Sequence, residues 1–71
     1  MKYRDFIAIL EFHKFELDRH GATSHRQYVG IIDGVRKIVT VSGRDGDDIR
    51  RENLSSMMRQ SGLPKKIFRQ R

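Results

Sequence analysis

Asp33-Gly34 stands between two runs of strand-favouring residues, and no other feature constrains this chain's fold as much. Residues 25–32 include Tyr28, Val29, Ile31 and Ile32. Residues 35–41 include Val35, Ile38, Val39, Thr40 and Val41. Aromatic and β-branched side chains pack well on a pleated surface. A two-residue Asp-Gly loop adopts the tight turn whose twist suits antiparallel strands. A hairpin is expected here, and the rest of the chain has to cover one of its faces. A third strand is expected at residues 15–19, where Phe15 and Leu17 alternate with Glu16 and Asp18. Residues 20–24, His-Gly-Ala-Thr-Ser, supply the turn between it and the hairpin.

Helices are expected on both sides of these strands. In residues 3–13, Phe6, Ile9, Leu10 and His13 recur at helical spacing, and Ile7 and Phe12 widen the apolar surface. His13 falls at the edge of that stripe near the helix C-terminus, a structural position. Residues 42–48 are polar, with two glycines and three aspartates, and read as a loop. Asp47 and Asp48 put negative charge ahead of a second helix, where it suits the helix dipole. That helix begins at Ile49 or Arg51 and ends at Ser61, with Leu54, Met57, Met58 and Ser61 inward. Gly62, Leu63 and Pro64 form its stop signal. The expected fold class is α+β: a two-layer α-β-β-β-α domain over residues 1–64. Its three-stranded antiparallel sheet carries both helices on one face. Residues 65–71 form a short basic C-terminal tail, largely mobile.

A chain of 71 residues makes one domain with a small core. With no cysteine, it has neither a disulfide nor a thiolate zinc site. His13, His20 and His25 lack the spacing of a zinc pair, so no metal and no small-molecule cofactor are expected. The apolar run at residues 6–10 is too short for a signal peptide or a membrane span, which leads to the expectation of a soluble, cytoplasmic protein. The net charge of +6 is placed unevenly. Through Asp48, cations and anions balance. From Ile49 onward Arg50, Arg51, Arg59, Lys65, Lys66, Arg69 and Arg71 face Glu52 alone. A basic segment of this kind suits a polyanion, with nucleic acid the first candidate. A solvated helix face with a basic tail gives the same count.

One stretch combines an acid/base group with an anion-binding group: Ser24-His25-Arg26-Gln27-Tyr28. Histidine exchanges protons near neutrality, and an arginine beside it can hold a phosphate. Strand parity puts His25 and Gln27 on one face, and Arg26 and Tyr28 on the other. Tyr28 belongs to the core, whereas His25, beside a turn of small residues, should be reachable. RNA carries its own nucleophile, the 2′-hydroxyl. Cleaving it requires moving a proton off that hydroxyl, stabilising charge and protonating the leaving oxygen. His25 with nearby cations is a minimal set for that work. His20, across the turn, is a candidate for the second acid/base group.

The same residues resemble the HicA (YcfA-like) mRNA interferase toxins of type II toxin–antitoxin systems. The resemblance runs from Arg4-Asp5-Phe6 through Phe15-x-Leu17-x-Arg19, Ser24-His25-Arg26-Gln27-Tyr28, Asp33-Gly34 and Val39-Thr40-Val41. It ends with the Leu54 to Leu63 helix and its Arg59-Gln60-Ser61-Gly62-Leu63 close. It implies a fold similar to the double-stranded-RNA-binding domain, and an endoribonuclease that cuts single-stranded mRNA without a metal. His25 would be the catalytic residue, and a cognate HicB-type antitoxin would cover the site. Arg26, Gln27, Lys37, Arg51 and Arg59 are the candidate RNA-binding residues. Two alternatives stand beside this reading. One is a non-catalytic RNA-binding module of the same fold. The other is an interaction protein whose open sheet face or edge strand pairs with a partner chain.

Overall fold

The computed structural model describes residues 1–20 and 25–69, with the side chains of residues 19 and 20 left aside. Of the turn expected at residues 20–24, His20 belongs to a strand and residues 21–24 lie outside the described residues. The order is α1 (Tyr3–Phe12), β1 (Glu16–His20), β2 (His25–Ile32), β3 (Val35–Ser42), α2 (Arg51–Ser61) and α3 (Lys65–Arg69). The strands form an antiparallel sheet in the order β1-β2-β3. This is the expected α+β architecture, with one element more.

The hairpin forms as its turn dictates. Asp33 and Gly34 both take left-handed conformations, with φ of 52° and 79°. That is the pairing a tight two-residue antiparallel turn requires. Register then follows residue by residue, from Ile32 opposite Val35 to His25 opposite Ser42. Tyr28, Val39 and Val41 all fall on one face, and all are buried. Gly30 lies on that face too, and the ring of Phe15 covers it. A Cβ built at Gly30 would come within 2.7 Å of that ring, so only glycine fits beneath it.

The helices cover this one face. Tyr3, Phe6, Ile7, Ile9 and Leu10 of α1 and Met57 of α2 join the sheet residues in a single core cluster. The start of α1 has no side-chain cap. Its amide groups are instead met from the loop after β3: Tyr3 N–H donates to the Asp47 carbonyl and Arg4 N–H to that of Asp45, each at 3.0 Å. Helix starts leave such donors open, so the loop completes the helix. At the other end Lys14 turns left-handed at φ 71°, and Phe15 N–H reaches the Leu10 carbonyl at 3.0 Å. This closure directs Phe15 into the core. α2 closes on left-handed Gly62, with Leu63 buried behind it. The Ser61 hydroxyl donates to the Met58 carbonyl at 2.7 Å and accepts Leu63 N–H at 3.1 Å.

Four expectations change. Phe12 is 80% exposed, because α1 ends there, and its ring stands edge-on to His13. Leu17 is 47% exposed: β1 is an edge strand, and its register shifts between Leu17 and Arg19. The Asp47-Asp48 pair serves α1 rather than α2. Asp48 bridges to Lys2, while α2 begins from Arg50 without a side-chain cap. Lastly, residues 65–69 are helical instead of forming a loose tail. Phe68 is 4% exposed and stacks on Phe6, with ring centroids 4.9 Å apart and planes 11° apart.

Phe68→Ala should therefore cost about 3 kcal/mol, as removal of a buried aromatic side chain does. A residue in a detached tail would change stability by no more than about 0.5 kcal/mol. Urea denaturation of the two proteins distinguishes these outcomes.

Candidate functional site

The opening residues of β2 send their side chains to opposite sides of the sheet, and this alternation decides what the site contains. His25 is exposed, on the face that the helices leave open. Its cross-strand partner is Ser42. Two residues on, Gln27 faces Thr40. Thr40 N–H does not pair with β2; it donates to the Gln60 side-chain oxygen at 3.1 Å. Gln27 and Thr40 are thus a non-hydrogen-bonded pair, and alternation makes His25 and Ser42 another. Side chains stand closest in such pairs, with Cα atoms about 4.5 Å apart. The open face therefore brings together imidazole, amide and two hydroxyls.

Arg26 goes the other way. Its guanidinium donates to the Asp45 carboxylate at 2.8 Å and to the Gly43 carbonyl at 3.3 Å. The Arg26 side chain is 14% exposed, against 60% for Asp45. Tyr28 lies two residues along on the same face. Burial pushes its phenol above the ordinary range, with the Arg26 charge pulling the other way, so Tyr28 stays protonated at neutral pH. Arg26 therefore ties the β3–α2 loop to β2. A phosphate would have to compete with Asp45 for it.

The loop itself is fastened from several directions. Besides Arg26 and the amides of Tyr3 and Arg4, the Lys2 ammonium donates to the Gly46 carbonyl at 3.1 Å. Ile49 N–H donates to the Met1 carbonyl at 2.9 Å. These bonds hold the end of β3, and with it Ser42, against the start of α1.

The remaining candidates are spread along α2 and β3. Thr40 meets Gln60, and Lys37 lies against Gly62, so α2 runs antiparallel to β3. Arg51, exposed at the first position of α2, is at the His25 end of the sheet. Lys37, opposite Gly30, is on the helix-covered face toward the hairpin end, and Arg59 is exposed on α2 beside Gln60. The structure brings Gln27 to His25, leaves Arg51 on the nearby helix start and Arg59 exposed on α2, and puts Arg26 and Lys37 on the opposite face of the sheet. In backbone register His20 pairs with Arg26. The sequence reading missed a groove between β3 and α2 with Thr40, Ser42, Asn53, Ser56 and Gln60 on its walls. Counting outward from Asp33-Gly34 would have put Ser42 opposite His25. Nothing local in the sequence brings α2 alongside. Among the described residues no three His, Asp or Glu side chains gather where they could hold a metal ion, and no helix is long and apolar enough to cross a membrane.

Comparison with protein families matches residues 3–63 to the HicA toxin of bacterial toxin–antitoxin systems. The match starts with α1 and ends at Leu63, leaving α3 outside. No curated protein and no solved structure matches the chain.

The Arg26–Asp45 contact makes a separate prediction. In a double-mutant cycle of Arg26→Ala and Asp45→Ala, urea denaturation should give a coupling energy of about 1 kcal/mol, as expected for directly interacting charged side chains. Additive effects would mean that the contact does not hold the loop.

Proposed function

This chain belongs to the HicA toxins of bacterial toxin–antitoxin systems, and on that premise we propose that it is a metal-independent endoribonuclease that cuts single-stranded mRNA with His25 as general acid and base. The observation that carries the proposal is the exposed His25 on the uncovered sheet face, beside the amide of Gln27 and the hydroxyls of Thr40 and Ser42.

In this reading the RNA lies across the open face with a phosphodiester at His25. The imidazole takes the proton of the 2′-hydroxyl as O2′ bonds to phosphorus, and protonates O5′ as the P–O5′ bond breaks. The products are a 2′,3′-cyclic phosphate and a 5′-hydroxyl end. Acid–base help of this kind contributes about 10²–10⁴-fold in rate. Gln27 hydrogen-bonds the sugar–phosphate. Arg51, at the same end of the sheet, draws in neighbouring phosphates, and Arg59 extends the electrostatic track along α2. Arg26 acts indirectly, by fixing the loop that carries Ser42, and Lys37 contributes charge at the hairpin end.

A toxin of this family has a cognate antitoxin, and we take it to be HicB-type, docking over His25. The same open face exposes Ile31 and Ile38, 62% and 40% accessible. These apolar residues give a partner chain something to bury beside the polar site. Toxicity held in check by a bound partner fits a cytoplasmic setting, where mRNA is the target.

The second reading, a non-catalytic RNA-binding module, draws on the exposed cations Arg50, just before α2, Arg51 and Arg59 of α2, and Lys65, Lys66 and Arg69 of α3. It shares the binding predictions and differs on cleavage.

His25→Ala should fold and melt like the parent, because the residue is exposed, yet lose growth inhibition on induction and at least about 10²-fold of RNA cleavage. Equal cleavage by a well-folded variant would overturn the catalytic assignment. Absence of cleavage by either protein would favour the binding module.

Arg51→Ala and Arg59→Ala should each weaken binding of single-stranded RNA across all sequences. Each should reduce the slope of log K against log salt by about 0.7. Fluorescence anisotropy titrations across a salt series measure both effects.

A further inference from the structure

We propose that the groove between β3 and α2 is a nucleobase subsite, which takes one unstacked base next to the phosphate at His25. The proposal rests on the ribonuclease reading above for what happens at His25, and on the groove's own chemistry for the rest.

The polar wall residues are Thr40, Ser42, Asn53, Ser56 and Gln60, and Tyr3 and Met57 complete the lining. No lining residue is charged. A groove built to hold phosphate would present arginine, lysine or a run of free amide groups. This one presents neutral donors and acceptors above the side chains of two residues that belong to the core, Tyr3 at 6% and Met57 at 5% exposure. That combination suits a flat, uncharged group with several hydrogen-bonding edges. Single-stranded RNA offers such a group when a base leaves the stack and is bonded along its Watson–Crick or Hoogsteen edge.

Two details fix the subsite's position and polarity. Ser42 belongs to both places: it lines the groove and is the cross-strand partner of His25. The groove therefore runs along the outer edge of β3, the strand that pairs with the one carrying His25, within the span of a base adjoining the scissile phosphate. Gln60 is also pinned, because its side-chain oxygen accepts Thr40 N–H at 3.1 Å. With the oxygen engaged, its amide NH₂ is left as a positioned donor. Asn53, which can donate and accept, completes an asymmetric pattern able to tell one base from another. When bidentate, contacts of this type discriminate one base from another by about tenfold in affinity.

The test combines Asn53→Ala and Ser56→Ala. Both sites are on α2, where alanine is the best helix former, so the variant should fold. Binding is measured on a His25→Ala background, which removes cleavage, with oligonucleotides of A, C, U and G as probes. The parent background should bind one of the four about tenfold more tightly, and the groove variant should lose that preference. Equal binding of all four by the parent background, or an unchanged preference in the variant, would overturn the subsite. In parallel, the wild-type protein and its groove variant are given an RNA pool of random sequence, and the cut positions are sequenced. The wild type should favour one base beside the cut, and the variant should flatten that profile. The same profile in both would also count against the groove. If the wild type cuts nothing, the ribonuclease reading fails, while the binding arm still decides whether the groove selects a base.

Discussion

The register of the β2–β3 hairpin is the constraint on which the rest depends. Strand side chains alternate with a period of two, so a slip of one residue would move every side chain of β3 to the other face. In the register observed, Tyr28, Val39 and Val41 enter the core, while His25, Gln27, Thr40 and Ser42 reach the open face. Burial and candidate chemistry are thus two outcomes of one pairing. The left-handed pair Asp33-Gly34 sets it from one end. The core-facing Val39 and Val41 keep it from slipping.

A second dependency links the far end of that hairpin to α1. The loop after β3 supplies the carbonyls that α1 needs for its first amides, and Arg26 holds the same loop by charge. The result is a closed circuit of short contacts: α1 start, loop, Arg26 and β2 start. Ser42 and His25 both sit on this circuit, so their spacing is held from both strands. In so small a domain this arrangement does what a larger core would otherwise do. Placement by several independent bonds is how a small protein keeps a precise site on a modest hydrophobic interior. The added helix α3 works in the same direction, since Phe68 stacks on Phe6 from beyond the family-matched segment.

Charge and site separate more cleanly in space than along the chain. Read in sequence, Arg26 is the cation next to His25 and looks like its partner. In the fold the two lie on opposite faces, and Arg26 pairs with Asp45, nineteen residues away. Among the described residues, the Gln27 amide and the Thr40 and Ser42 hydroxyls share the face of His25, with cations on the exposed surface of α2 and α3. Long-range attraction of a polyanion and close reading of its parts would then fall to different residues.

The amino-acid sequence by itself determined the α-β-β-β-α order, the hairpin and its turn, the close of α2 at Gly62-Leu63, the burial of Tyr28 and the exposure of His25. Each of these follows from forces acting over a few residues: turn conformation, alternation, helical spacing and capping. Only the tertiary structure decided that Arg26 would be taken up by Asp45, that the Asp47-Asp48 segment would serve α1 instead of α2, and that Phe68 would leave the basic tail for the core. It alone brought Asn53, Ser56 and Gln60 beside Ser42. Those outcomes depend on which surfaces meet once the helices settle on the sheet, with partners up to sixty-two residues apart, as for Phe6 and Phe68. Local pattern carries no record of such meetings, because the same residues in isolation would satisfy the same patterns with their charges and rings left in water.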